Sequence, residues 1–180
     1  MDDPQFVYVI YISTSPAKLW NALIDPEITA KYWQHENVSD WQPGSKWEHR
    51  RSGKEKTLDL VGRVIESSPP RHLVLTWAFP ADEGREEKHS RVTFEIEPIR
   101  GVVRLTVTHD RLEPGSEMLQ GITEGWPKVL SSLKTLMEMG AATPPVVVAK
   151  VGAFRSSPGK ANASPSRLYP DFTSGRDNGV

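Results

Sequence analysis

Five histidines and no cysteine bound the chemistry open to this 180-residue chain. His35, His49, His72, His89 and His109 show no metal-ligand spacing such as two histidines four apart on one helix. Without cysteine there is no thiolate zinc site, no cysteine nucleophile and no disulfide framework. No metal or other cofactor is expected, and no P-loop, dinucleotide fingerprint or Gly-x-Ser-x-Gly elbow occurs. His109 invites three readings. It falls on the apolar parity at the end of a strand, where it could bond a backbone carbonyl or a loop carboxylate, contact a polar group of a ligand, or act as a general acid or base near neutral pH. His49 shares the parity of Trp47 and is read as facing inward, with Glu48 on the opposite face, so those two do not form a working pair. Glu66 closes its strand and is read as solvated. Gly62 leaves a gap in the sheet that serves either curvature or ligand volume. Gly121-Ile-Thr-Glu-Gly125 signals close backbone packing, and Arg50, Arg51, Lys54 and Lys56 mark a solvated hairpin tip.

These residues need elements to hold them. Phe6 to Ile12 is a β-branched and aromatic run that reads as a strand. Ser15-Pro16 and Asp25-Pro26 each pair a capping side chain with a proline preset for the first helical turn, so they open two short helices. From Trp41 the apolar period becomes two. Turns at Pro43-Gly44, Ser52-Gly53, Ser68-Pro69-Pro70, Pro80 to Gly84 and Pro98 to Gly101 punctuate five further strands. Leu73, Leu75, Trp77 and Phe79, then Val92, Phe94 and Ile96, then Val103, Leu105, Val107 and His109, form one dry face. Partners such as Arg91, Thr93, Glu95, Arg104, Thr106 and Thr108 are polar, which predicts an antiparallel sheet with one face to be covered. Trp126, Val129, Leu130, Leu133, Leu136 and Met137 recur at helical spacing and supply the cover, ended by Gly140. Pro127 is expected in the first turn of that helix or at a kink. The class is α+β: a curved six-stranded antiparallel sheet and two short helices around a long C-terminal helix.

Apolar residues make up 37% of the chain and charged residues 25%, as in ordinary globular proteins. Residues 1–140 are read as one domain. Residues 141–180 hold Pro144, Pro145, Pro158, Pro165 and Pro170 among Gly, Ser, Asn and Ala, and are expected to be a disordered tail. A net charge of −1 gives no field for nucleic acid or an anionic membrane, and no apolar run reaches the roughly 20 residues that span a bilayer. The N-terminus MDDPQF has no signal-peptide pattern, so the expected location is the cytoplasm.

Four local patterns carry a resemblance. They are Ser-Pro-Ala-Lys-Leu-Trp-Asn-Ala-Leu with Asp25-Pro26-Glu27, Pro43-Gly44 before a strand, Gly62-Arg63-Val64 running to Pro69-Pro70 and Leu73 to Trp77, and Thr106 to His109 followed by Gly125-Trp126. In that order they resemble the START-like helix-grip superfamily, and within it the Hsp90-ATPase-activator homologue family, over roughly residues 6 to 140. The resemblance implies a cavity between sheet and long helix that accepts a hydrophobic small molecule of lipid, sterol-like or polyketide- and flavonoid-like kind. Its implied lining is Trp33, Trp47, Val64, Leu75, Trp77, Phe94, Val107, His109, Trp126 and Leu130, and a packed aromatic core is the competing reading of the same tryptophans. Two further functions are implied: a cyclase- or hydrolase-type enzyme using His109, and a module binding a chaperone or a transcriptional regulator.

Overall fold

The structure, a computed structural model, describes residues 4–142. The expected tail lies, from residue 143 onward, outside the described residues. In chain order the elements are β1 (Phe6–Ile12), α1 (Pro16–Ile24), α2 (Pro26–Trp33), β2 (His35–Val38), β3 (Lys46–Arg51), β4 (Leu58–Ser68), β5 (His72–Trp77), β6 (Ser90–Ile99), β7 (Val102–Asp110) and α3 (Glu117–Met139). All strand pairs are antiparallel, in the order β1-β7-β6-β5-β4-β3-β2. The two short helices thus carry the chain from one sheet edge to the other, and α3 lies in the concave face.

Local chemistry accounts for the helix starts. Ser15 Oγ accepts from the Lys18 amide at 3.3 Å, and Asp25 Oδ1 accepts from Glu27 and Ile28 at 2.9 and 3.1 Å, so each capping side chain satisfies amides that have no carbonyl partner inside the helix. Gly140 closes α3 with φ +74, a left-handed conformation that glycine takes without steric cost.

The sheet has seven strands, not six. The added strand, β2, is the tetrapeptide His-Glu-Asn-Val, with no apolar alternation to announce it. Tertiary bonds hold it: it pairs with β3 from His35↔Arg51 to Val38↔Glu48, while the Asn37 amide donates to Thr29 Oγ1 and its side chain donates to the Leu23 carbonyl. The start of α3 excludes one of the two places expected for Pro127. The helix begins at Glu117 under a Ser116 cap, so Pro127 lies inside the helix and not in its first turn. Proline there costs about 3 kcal/mol, and each interior glycine about 1 kcal/mol, against alanine. Burial of Trp126, Val129, Leu130 and Leu133 against the sheet opposes that cost.

Trp47 and Gly62 are cross-strand partners in β3 and β4. The Trp47 indole lies over Gly62 and donates from Nε1 to the Thr76 carbonyl at 2.8 Å. A Cβ on Gly62 would stand 1.9 Å from that carbonyl oxygen and 2.4 Å from Trp47 Nε1. The gap left by Gly62 is therefore filled by protein, which decides against ligand volume at this position.

Candidate functional site

The front half of α3 stands off the sheet and leaves a cavity of about 410 Å³. Strands β3, β4 and β5 supply its floor and α2 closes one side with Trp33, the last residue of that helix. From α3 come Met118, Gly121, Ile122, Gly125, Trp126 and Val129. A Cβ added to Gly121 or Gly125 would meet no atom within 4 Å, although Gly125 is buried. Two glycines four apart thus present bare backbone to empty space. They make room where any other side chain would occupy it.

Of the ten residues expected to line the cavity, Trp33, Trp77 and Trp126 do so. Their rings stand 5.3 to 6.1 Å apart in mutual contact. The other seven, Trp47, Val64, Leu75, Phe94, Val107, His109 and Leu130, sit outside this lining in the packed core, each at most 3% exposed. Sequence reasoning did not name His35, Leu58, Asp59, Leu60, the two glycines, Met118, Ile122 or Val129 as lining. The positions 118, 121, 122, 125 and 129 share one helical face, and that spacing was the available signal.

His109 is fully used by its neighbours. The Trp126 indole N–H donates to Nδ1 at 3.3 Å, and since that indole can only donate, Nδ1 carries the lone pair and Nε2 the proton. Nε2–H then donates to Ser90 Oγ at 2.8 Å, and the Ser90 hydroxyl donates to the Trp77 carbonyl at 3.0 Å. Burial pushes the imidazole down to about 3 against the opposing pull of Asp110. With no exposed ring atom and both nitrogens engaged, this histidine ties α3 to β5, β6 and β7.

His49 differs. Asn37 gives its amide N–H to the Leu23 carbonyl, which turns Oδ1 toward His49 Nδ1 at 2.6 Å, so Nδ1 is the protonated nitrogen. Nε2 keeps a lone pair and has no hydrogen-bond partner among the described residues, and His49 lines the cavity. Burial, with the nearby His35 adding to it, holds this imidazole well below the ordinary histidine value. His35 stacks on it with ring centres 4.1 Å apart and planes 5° apart.

The rim carries the charges. His35 Nε2 approaches Asp59 Oδ2 at 2.9 Å and its Nδ1 approaches the Trp33 carbonyl at 2.9 Å, while Arg51 donates to the same carboxylate oxygen from Nε and Nη2 at 3.2 and 2.6 Å. Burial pushes the Asp59 carboxyl up, and the hydrogen bonds from His35 and Arg51 outweigh it and hold the group below its ordinary value. The Arg51 charge is thus already matched by a carboxylate, and the exposed Glu117 adds another at the rim. Among the described residues no helix is long and apolar enough to cross a membrane.

Residues 13–138 match the family described as Activator of Hsp90 ATPase homolog 1-like protein, and the chain belongs to it. Solved structures similar to it include the Aha1 dimer from Colwellia psychrerythraea, at 20% identity over 76% of this chain and 98% of that one with a TM-score of 0.63. Protein MLL2253 from Mesorhizobium loti is 24% identical over 74% of this chain and 96% of its own, with a TM-score of 0.61. PFC0360w, an HSP90 activator from Plasmodium falciparum, is 20% identical over 73% and 94%, with a TM-score of 0.60. At these identities the likeness is one of fold. No curated protein matches the chain.

Proposed function

We propose that this member of the family binds a hydrophobic small molecule in the cavity between β3–β5 and the front half of α3. The observation that carries the reading is the glycine pair. Gly121 and Gly125 cost helix stability, no neighbouring atom stands where their side chains would be, and the space they leave is walled by three tryptophans. A mostly apolar chamber of about 410 Å³ with a few polar groups has the size and character of a site for a small ligand. A cytoplasmic location belongs to the same proposal.

The test is an amide NMR titration of the full chain with flavonoids, sterols, fatty acids and polyketide-like aromatics. One class should move amides around Trp33, Trp77 and Trp126, and Gly125→Leu, which puts a side chain into the cavity, should abolish the response. A panel that moves no amide in the folded protein sinks the reading.

A second reading, binding of a chaperone or a regulatory protein, has its own observation. Val7, Val9 and Tyr11 are 52%, 47% and 49% exposed on the outward face of the edge strand β1, whereas β6 and β7 turn Thr93, Arg91, Thr106 and Thr108 outward. An apolar strip on an unpaired edge suits a protein partner.

A further inference from the structure

The two edges of the sheet are protected unequally. β2 is four residues long and polar at His35, Glu36 and Asn37, features that keep an edge from pairing with other strands. β1 is apolar or aromatic at all seven positions; Phe6, Tyr8 and Ile10 on its inward face are half-buried, and Val7, Val9 and Tyr11 on its outward face are exposed. A strand apolar on both faces has the pattern of one covered on both, and among the described residues the one strand beside β1 is β7. We propose that this chain's own residues 146–151, Val-Val-Val-Ala-Lys-Val, complete it by adding antiparallel to its free edge as an eighth strand. A protein partner for the strip would then have to displace them.

The described chain stops beside that edge. Lys134 of α3 donates from Nζ to the Tyr11 carbonyl at 2.6 Å, and farther along the helix Glu138 Oε1 accepts from the Ser13 amide at 2.7 Å, so α3 runs along β1 in the same direction. Gly140 then ends the helix, and Ala142 still packs on the core. From Ala142 to Val146 the chain can reach about 13 Å, against about 4.8 Å between neighbouring strands, and turning back there it runs from the Ile12 end of β1 toward Phe6. Pro144 and Pro145 cannot extend the helix. The bonds to Lys134 and Glu138 also mark which backbone groups the β7 ladder leaves free: those of Tyr11 and Ser13 and hence, by alternation, those of Val9 and Val7. In residues 146–151 one parity is Val147, Ala149 and Val151 and the other is Val146, Val148 and Lys150. Such a segment offers apolar side chains to both faces of β1, and Lys150 supplies a charge that protects the new edge.

Amide hydrogen exchange of the full chain, resolved residue by residue by NMR, tests this independently of the cavity. The Val7 and Val9 amides should be protected in the unaltered chain. In a variant carrying both Val147→Pro and Val148→Pro they should exchange about a hundredfold faster, because prolines at successive positions remove the N–H on either parity. The amides of Tyr8 and Ile10, which face β7, should be unchanged and report that the domain is folded. Should the double variant not fold, cross-strand proton contacts between β1 and residues 146–151 in the unaltered chain decide. Val7 and Val9 amides that are unprotected in the unaltered chain overturn the proposal. So does protection that survives the double substitution: if it grows with protein concentration the occupant of the edge is a second copy, and if it does not, the tail is not what covers these amides.

Discussion

Two histidines buried in the same concave sheet behave differently. His109 and His49 are 0% and 2% exposed, and burial drives both imidazoles toward the neutral form. Both nitrogens of His109 have found partners, in the chain from the Trp126 indole through His109 and Ser90 to the Trp77 carbonyl. Around His49 the chain stops: Leu23, Asn37 and Nδ1 are joined, and Nε2 of this cavity-lining residue has no partner among the described residues. The first region is a closed network that fastens the C-terminal half of the grip. The second is a shorter network that engages only one of the two ring nitrogens among the described residues. The lesson is that burial alone does not make a residue a candidate for binding; a ring nitrogen without a protein partner, on a residue that lines unfilled volume, does.

The sharpest way to break this contrast is to add one carbon to the packed side. Gly62→Ala drives a Cβ into the Thr76 carbonyl, which is backbone, and into the indole that seals β3 against β4. We expect a loss of about 3 kcal/mol or more, or no folded protein, read as the urea midpoint. A near-neutral Gly62→Ala would mean that the region is not closely packed.

A smaller effect comes from pH. The unfolded histidine titrates near pH 6.5, whereas His109 in the folded protein does so at about 3. Between those values the unfolded chain binds a proton that the native state refuses, so stability is complete above pH 6.5 and declines as pH falls toward 3. From pH 6.5 to 5 the loss from His109 should be about 2 kcal/mol, at about 1.4 kcal/mol per pH unit, with His49 acting in the same direction. Urea unfolding across that window measures it, above the range where carboxylates contribute most. His109→Phe should remove one proton's share of the slope. If that variant keeps the full slope, the His109 network is not what excludes the proton.

The contrast was partly legible in the chain itself. Strand β6 declares itself by strict alternation and β7 does so from Val103 onward, while Ser15-Pro16, Asp25-Pro26 and Gly140 declare their helix ends by capping chemistry. Parity placed Trp77, His49 and His109 on the dry face, but it cannot say which dry residues touch protein and which touch space. Trp47 has the parity of a lining residue, and its indole is spent on the gap above Gly62. His35 escaped notice because its strand has no pattern, and its place is set by pairing with β3. The front of α3 escaped because Gly121 and Gly125 read as close backbone packing, whereas a Cβ on either would meet no atom within 4 Å, and because Pro127 suggests a helix start. All three are tolerated because Trp126 and the residues after it bury the helix, and that is long-range packing no local window contains.

The smallest expected effect bears most directly on the open side. Gly125→Ala puts a methyl group where no atom lies within 4 Å, in a helix, at a residue without positive φ. Two terms then favour the variant: alanine is the better helix former by about 1 kcal/mol, and its methyl group meets no steric resistance. Stability should therefore rise by about 0.5 to 1 kcal/mol, while the volume left for a ligand falls. The same one-carbon change thus has opposite signs at Gly62 and Gly125, and the difference in sign is the measurable form of packed against open. A Gly125→Ala variant that loses stability would place protein against that face of α3, and the glycine pair would then be a packing device like Gly62.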